Sequence, residues 1–333
     1  MIDIAASVVA LAALVAAVFV GTHSLPRRAF AVVAVAAVAA VLTGALGALV
    51  PGDPVAAALG EDAPEEARAA LRHEMGLDVD VSWRLLRAGG RVLTGLWSQE
   101  HPLRSLRTRQ PVVDLIAARA PATLALAGAG SGVGVVGGVA LGVLAAWWRR
   151  RRVHVFVDAL VALLSAVPRF VLGPALVLVF AIAWQLLPAG GVDEGPRSLL
   201  LPALTLGLPF AGVVARHVRA ALHDALDAPF SRTAKSKGVA ERTVLLRHGL
   251  PHAWLSVVHL SALQLGTLVG GAVVVEKVFS WPGVGMLLQD SLKKADLPVV
   301  QGVVVCAAVG IALAGLVADA VAVVVDPRLR RRS

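Results

Sequence analysis

The sequence predicts an all-α polytopic membrane protein, and three observations carry that expectation. Of its 333 residues, 57% are hydrophobic and only 16% charged, against about 25% charged in an ordinary soluble chain. Uncharged runs of roughly 20 residues, the length that crosses a bilayer as a helix, recur along the chain. The arginines gather in short clusters at the ends of those runs, as in cytoplasmic loops. The net charge of +9 therefore belongs to topology: the lipid bilayer is the expected surrounding and nucleic acid is not an expected partner.

The first apolar run, Ile4–Val20, has an n-region with Asp3 and no Lys or Arg, which does not fit a signal peptide; it predicts a transmembrane helix. Arg27 and Arg28 place the next turn in the cytoplasm, so residues 1–28 form an extra N-terminal span and turn. Residues 29–50 form the first core helix, leaving at Pro51-Gly-Asp-Pro54. Residues 51–117 are the only sizeable polar region, with ten acidic and eight basic side chains. Lacking a basic excess, this segment is expected outside. Asp62 can cap a helix from Pro64 to Met75, with Glu65 and Glu66 in its first turn and Gly76 as its stop.

Residues 118–330 hold the remaining spans. Ala120–Trp148 is uncharged and ends at Arg149–Arg152, the strongest topology marker in the chain. Val153–Leu187 follows, with breaks expected at Pro168 and Pro174. Leu199–Val214 leads inward, Trp254–Val275 outward, and Val299–Val325 inward to the C-terminal arginines. Glu276–Pro298 is an outside segment rich in turn residues, expected to be partly re-entrant. The count is six core helices plus the N-terminal one, with the N-terminus outside and the C-terminus cytoplasmic.

Several chemistries are argued against by what the chain holds. Gly132-Val-Gly134-Val-Val-Gly137 matches a dinucleotide fingerprint, but that pattern works only between a strand and a helix. Here it lies in an uncharged membrane run, where glycines at small-xxx-small spacing let helices approach closely. No GxxxxGK[ST] phosphate loop occurs, so the chain itself is not expected to hydrolyse ATP. One cysteine, Cys306, allows no intrachain disulfide and no cysteine metal cluster. No metal and no cofactor is expected, and no enzymatic activity. Asp158 and Asp319 sit near the cytoplasmic boundary, where they can snorkel. Arg169, beside Pro168, lies deeper. Ionisable groups inside a membrane tend to face a polar path or a partner, so Arg169, His259 and Gln264 are the candidate translocation-path residues, a structural role for Arg169 being the alternative. A proton-relay transporter would need several carboxylates at mid-depth, and the sequence does not show them.

The most informative stretch is the basic island 221–252 between two apolar runs. Asp227 can cap a short helix beginning near Pro229, and Gly238 can end it in the left-handed conformation. Lys235 and Lys237 fall in its last turn, where cations suit the helix dipole. A second short helix, Ala240–His248, is expected to stop as Pro251 approaches.

These residues resemble the EAA loop of ABC importer permeases, whose pattern is E-A-A, a glycine at the seventh place and L-P at the nineteenth and twentieth. With Arg232 at the first place, Thr233 and Ala234 take the alanine places, Gly238 is seventh, and Leu250-Pro251 closes the pattern. Arg for Glu, in Arg232-Thr-Ala-Lys235-Ser-Lys237-Gly238, is similar to the dipeptide/oligopeptide/nickel branch, and further matches resemble its B-type subunit. They are Leu49-Val-Pro-Gly-Asp-Pro54, Arg119-Ala-Pro-Ala-Thr-Leu124, Gly270-Gly-Ala-Val-Val-Val-Glu276, Phe279-Ser-Trp-Pro-Gly-Val-Gly285, Asp296-Leu-Pro-Val-Val-Gln-Gly302 and Asp326-Pro-Arg-Leu-Arg330. The first span and Arg169 depart from the branch pattern.

The resemblance implies a permease subunit of an ATP-driven importer in the inner (cytoplasmic) membrane. Its partners would be a second homologous permease, two cytoplasmic ABC ATPase subunits and an extracytoplasmic substrate-binding protein. The helix near Pro229–Lys237 would be the coupling helix, with Ala234 and Gly238 permitting close packing. Di- or oligopeptides are the first cargo class; nickel chelates or another small solute are the second. A secondary transporter or channel is the reading from another class.

Overall fold

The computed structural model describes residues 32–43, 55, 64–75, 90, 92–96, 98, 100–148 and 153–325. The expectations for Ile4–Val20, Asp62, Gly76, the Arg149–Arg152 loop and the C-terminal arginines lie outside these residues.

The elements are α1 (Val32–Thr43), α2 (Glu65–Met75), α3 (Val112–Trp147), α4 (Val153–Ala166), α5 (Arg169–Leu176), α6 (Leu200–Asp227), α7 (Pro229–Ser236), α8 (Glu241–Val244), α9 (Leu250–Val278), α10 (Val284–Lys293) and α11 (Leu297–Val325). Among the described residues the only β contact is an isolated antiparallel bridge, Arg104 to Pro111. Among the same residues three helical stretches, Val112–Trp147, Gly195–Asp227 and Leu297–Val317, are long and apolar enough to cross a membrane. A bent pair, Val155–Ala166 and Arg169–Ala183, makes a fourth if counted as one span.

Several helix boundaries differ from the expectations. Charged residues mark where a helix meets water, and helices continue through them when no breaker intervenes. Thus α3 begins at Val112 rather than Ala120, and α6 runs past Val214 to Asp227 through Ala-, Leu- and Arg-rich sequence of high helix propensity. The break at Pro168 is present as a 109° bend. Pro174 does not break the chain: it lies inside α5, which leads on into a π-helical stretch, Val177–Ala183. The second short helix does not stop before Pro251 either. After α8, a π-helical turn, Leu245–Gly249, leads directly into α9, whose first turn holds Pro251 where a missing amide is tolerated.

The described chain forms two compact units. One comprises residues up to Pro121 with Met286–Leu313; the other comprises Ala122–Gly285 with the residues from Ala314 on. In the second unit α6 is the central element, packed by α4, α5, α7 and α9. Its contact with α3 is a seam in register. Gly130, Gly134, Gly138 and Gly142 of α3 face Leu206, Phe210, Val214 and Val218 of α6, all four fully buried. A Cβ on Gly138 would lie 2.5 Å from Val214 Cβ, and one on Gly142 2.7 Å from Val218 Cβ. Partners rise together in number, so the two helices run parallel. Lipid is as apolar as a leucine, so close van der Waals contact, which side-chain-free positions permit, supplies the attraction. Of the fingerprint-like glycines only Gly134 belongs to this seam; Gly132 faces open space and a Cβ on Gly137 would meet Ala211 at 3.6 Å, all three inside one continuous helix.

In the first unit Asp296 organises the loop before α3. Its buried carboxylate accepts hydrogen bonds from Ser105 Oγ (2.5 Å) and the Leu106 amide (3.1 Å). Arg107 donates two bonds to the Lys294 carbonyl at 3.2 and 3.0 Å, capping the end of α10.

Candidate functional site

The polar segment is built from α7, α8 and the π-turn, and both its ends rest on one hydrophobic cluster. The carbonyl of Ala228, not of Asp227, accepts the first bonds of α7, from Ser231 (3.0 Å) and Arg232 (3.4 Å). Asp227 is instead the last residue of α6, and extended Ala228 (φ −65°, ψ 153°) makes the corner. The boundary residue of α7 is Ala228, one place after Asp227, because α6 persists to that point.

Ser231 is fully buried and Ala234, one turn on, packs against the core that contains Leu222 and Leu226 of α6. The opposite face presents Phe230, Thr233 and Lys237, at the i, i+3, i+7 spacing of one helical stripe, with Arg232 exposed beside them. The Lys235 side chain is outside the described residues. Two local bonds hold the stripe: Thr233 Oγ1 to the Pro229 carbonyl (3.2 Å) and Ser236 Oγ to the Thr233 carbonyl (2.9 Å).

Gly238 ends α7 as expected, at φ +81°. The Val239 amide closes back on the Ala234 carbonyl at 3.1 Å, the Schellman pattern, and both side chains pack on the core. Within this chain nothing lies within 4 Å of where its Cβ would be. Its backbone conformation is what calls for glycine. At the far end Gly249 is the tightly packed glycine, with a Cβ there 2.9 Å from Leu222 Cδ2. Leu250 packs on the core and Pro251 is exposed.

The candidate path residues lie on two helices. Arg169 opens α5 at the bend, half-buried, with its guanidinium over Gly271 of α9. Gln264 is partly buried on α9, seven residues before Gly271 and so on the same face. His259 is on α9, its side chain outside the described residues. Asp158 forms an ion pair with Arg219 of α6, beside a cavity of about 210 Å³ lined also by Ala145, Val161, Ala162, Ala215 and Arg216. Among the described residues no three His, Cys, Asp or Glu side chains come together as a metal site.

A polar knot in the second unit was not anticipated. Glu276, fully buried near the end of α9, accepts a 2.6 Å bond from Thr123 Oγ1, and that oxygen accepts the Val284 amide at 2.8 Å. Trp281 donates Nε1–H to the Ala122 carbonyl at 2.9 Å and its amide to the Glu276 carbonyl at 2.8 Å. Any side chain at Gly283 would strike the Glu276 carboxylate. Three of the family-like motifs therefore meet in one place, and only their order along the chain had signalled a connection.

Comparison with known proteins agrees with this architecture. The family model described as binding-protein-dependent transport system inner membrane component matches residues 138–331. The glutathione transport system permease protein GsiC of Salmonella paratyphi A (strain ATCC 9150 / SARB42) is 37% identical over 282 residues, covering 85% of this chain and 90% of that protein. GsiC of Escherichia coli (strain K12) is 36% identical over the same shares. Among solved structures, the inward-facing MetNI methionine ABC transporter in its CY5 native crystal form gives a TM-score of 0.55 at 21% identity, covering 65% of this chain and 99% of that one. At that identity the likeness concerns the fold alone.

Proposed function

This chain belongs to the family of binding-protein-dependent transport system inner membrane components, the permeases of ABC importers, and on that premise we propose that it carries short peptides and that its 229–251 segment docks on the ATPase. ATP hydrolysis resides on two separate cytoplasmic subunits, a second related permease completes the path, and an extracytoplasmic binding protein delivers the cargo. The arginine clusters at the ends of the apolar runs support a cytoplasmic C-terminus and an N-terminus outside the inner membrane. The name of the glutathione permeases supports a cargo of tripeptide size.

The observation that carries the docking assignment is the division of α7 into two faces. Ser231 and Ala234 anchor it in the bundle core, while Phe230, Arg232, Thr233 and Lys237 point outward. A helix so anchored transmits force instead of folding away, because displacing it moves α6. The test is a Thr233→Cys substitution in a Cys306→Ala background, in the complex purified with its ATPase. A thiol crosslinker is expected to join position 233 to the ATPase, with a yield that changes when ATP is added. An ATPase that co-purifies and never crosslinks to this position would overturn the assignment.

A further inference from the structure

We propose that Arg169 is a specificity-determining residue that takes the free carboxylate of a short peptide during passage, a proposal that rests on the peptide-importer reading above. A guanidinium inside a membrane domain is costly and tends to face a polar path or a partner. This one is also given a seat. Gly271 of α9 lies directly beneath it, and any side chain at 271 would fall on Arg169 Nη1. The neighbouring Gly270 is exposed and has nothing within 4 Å of a built Cβ, so α9 presents two side-chain-free positions in succession at this level.

The surrounding geometry gives the seat a length. Arg169 sits at the 109° bend, where the apolar helix pair turns. Gln264, with one amide donor group and one acceptor, lies on the Gly271 face of α9, seven residues or about 10 Å away along the helix axis. An extended tripeptide spans about 10 Å. A peptide whose terminal carboxylate meets the Arg169 fork reaches Gln264 with its far backbone. The planar fork matches a carboxylate in two parallel hydrogen bonds, which a point charge cannot reproduce.

The experiment uses proteoliposomes holding the complete permease–ATPase complex with its binding protein. Uptake of a tripeptide with a free C-terminal carboxylate is measured against the same tripeptide as its C-terminal amide. The binding protein is common to every arm, so a change in the acid-to-amide ratio between variants belongs to the permease. Arg169→Gln is expected to lower that ratio by about tenfold, the scale of one charged hydrogen-bonded contact. Arg169→Lys keeps the charge without the fork and is expected to lower it by about threefold. Gln264→Leu is expected to slow tripeptide uptake more than dipeptide uptake. Equal loss for acid and amide would mark Arg169 as structural and overturn the proposal, as would an unchanged ratio. If Arg169→Gln does not assemble, the Lys variant decides, and a wild-type ratio there overturns the proposal. A wild-type complex that moves neither peptide breaks the peptide-importer reading itself and takes the proposal with it. Uptake of both peptides with a ratio indifferent to residue 169 breaks the proposal alone.

Discussion

The end of α7 and the ends of α9 and α10 fold the same way with different residues. At α7 the residue in the left-handed conformation is Gly238 (φ +81°); at α9 it is Ser280 (φ +50°) and at α10 Ala295 (φ +53°). In each, the following amide closes back five residues: Val239 to Ala234, Trp281 to Glu276, Asp296 to Ser291. A left-handed conformation costs a non-glycine residue roughly 1–2 kcal/mol, so something must hold Ser280 and Ala295 in it. In both cases the next residue does so. Trp281 is tethered through its indole to the Ala122 carbonyl, and Asp296 through its carboxylate to Ser105 and Leu106. Gly238 has open space around it, and an end that projects outward depends more on its own backbone preference. Tethered ends tolerate strain, and a projecting end calls for glycine.

Cutting a tether is the most damaging way to break this comparison. Asp296→Ala removes two hydrogen bonds to a buried carboxylate, each on the order of 1.5–3 kcal/mol, and leaves Ala295 unsupported. A loss of roughly 3 kcal/mol or more is expected, read as a lower thermal midpoint in detergent and poorer recovery of monodisperse protein. A variant as stable as the parent would show that the loop at Ser105 does not hold the end of α10.

The projecting end comes next. Gly238→Val forces a β-branched residue into the left-handed region at a local cost of about 1–2 kcal/mol. Val239 packs on the core but has no hydrogen-bonding side chain to absorb that strain, so the turn after α7 should open. Bulk stability should change little, because the site lies at the edge of the core. In proteoliposomes, peptide uptake should fall while ATP hydrolysis by the complex continues. Uptake and hydrolysis that both stay at parental levels would remove the reason for glycine at this position.

How much of this was legible follows from where each constraint resides. Gly238 could be read because its cause is local: a short basic helix followed by the one residue type that enters the left-handed region freely. Ser280 and Ala295 could not, since neither residue type signals that conformation. Their causes lie in Ala122 and Ser105, 159 and 191 positions before the tethered neighbours Trp281 and Asp296. The α3 glycines were readable as a packing surface, because an uncharged run excludes a phosphate loop. Their partners on α6 were not, because Leu206, Phe210, Val214 and Val218 are ordinary apolar residues. The segment from Arg232 to Pro251 was legible as a unit by its spacing. Its inward face was not: Ser231 is a polar residue that the structure buries, and Pro251, which reads as a breaker, sits in the first turn of α9 after a π-turn makes room.

The gentlest perturbation should stabilise the protein. Ser280→Gly relieves the left-handed penalty of roughly 1–2 kcal/mol, and the Ser280 side chain is exposed, so little packing is lost with it. Against that gain, glycine raises the entropy of the unfolded chain by about 0.4–1 kcal/mol. The difference is a net stabilisation of about 0.5 kcal/mol, or a degree or two in thermal midpoint for a chain of this size. Ala295→Gly should give a similar gain, because the Asp296 tether is untouched and only the strained residue is relieved. Each is measured alone, by thermal unfolding in the detergent used for the parent. The same substitution made in an Asp296→Ala background should recover more than it does in the parent, since an untethered end has more to gain from glycine. Equal gains with and without the tether would mean that Asp296 contributes its hydrogen bonds without imposing the conformation of Ala295, and the contrast with Gly238 would then rest on the surroundings of Trp281 alone.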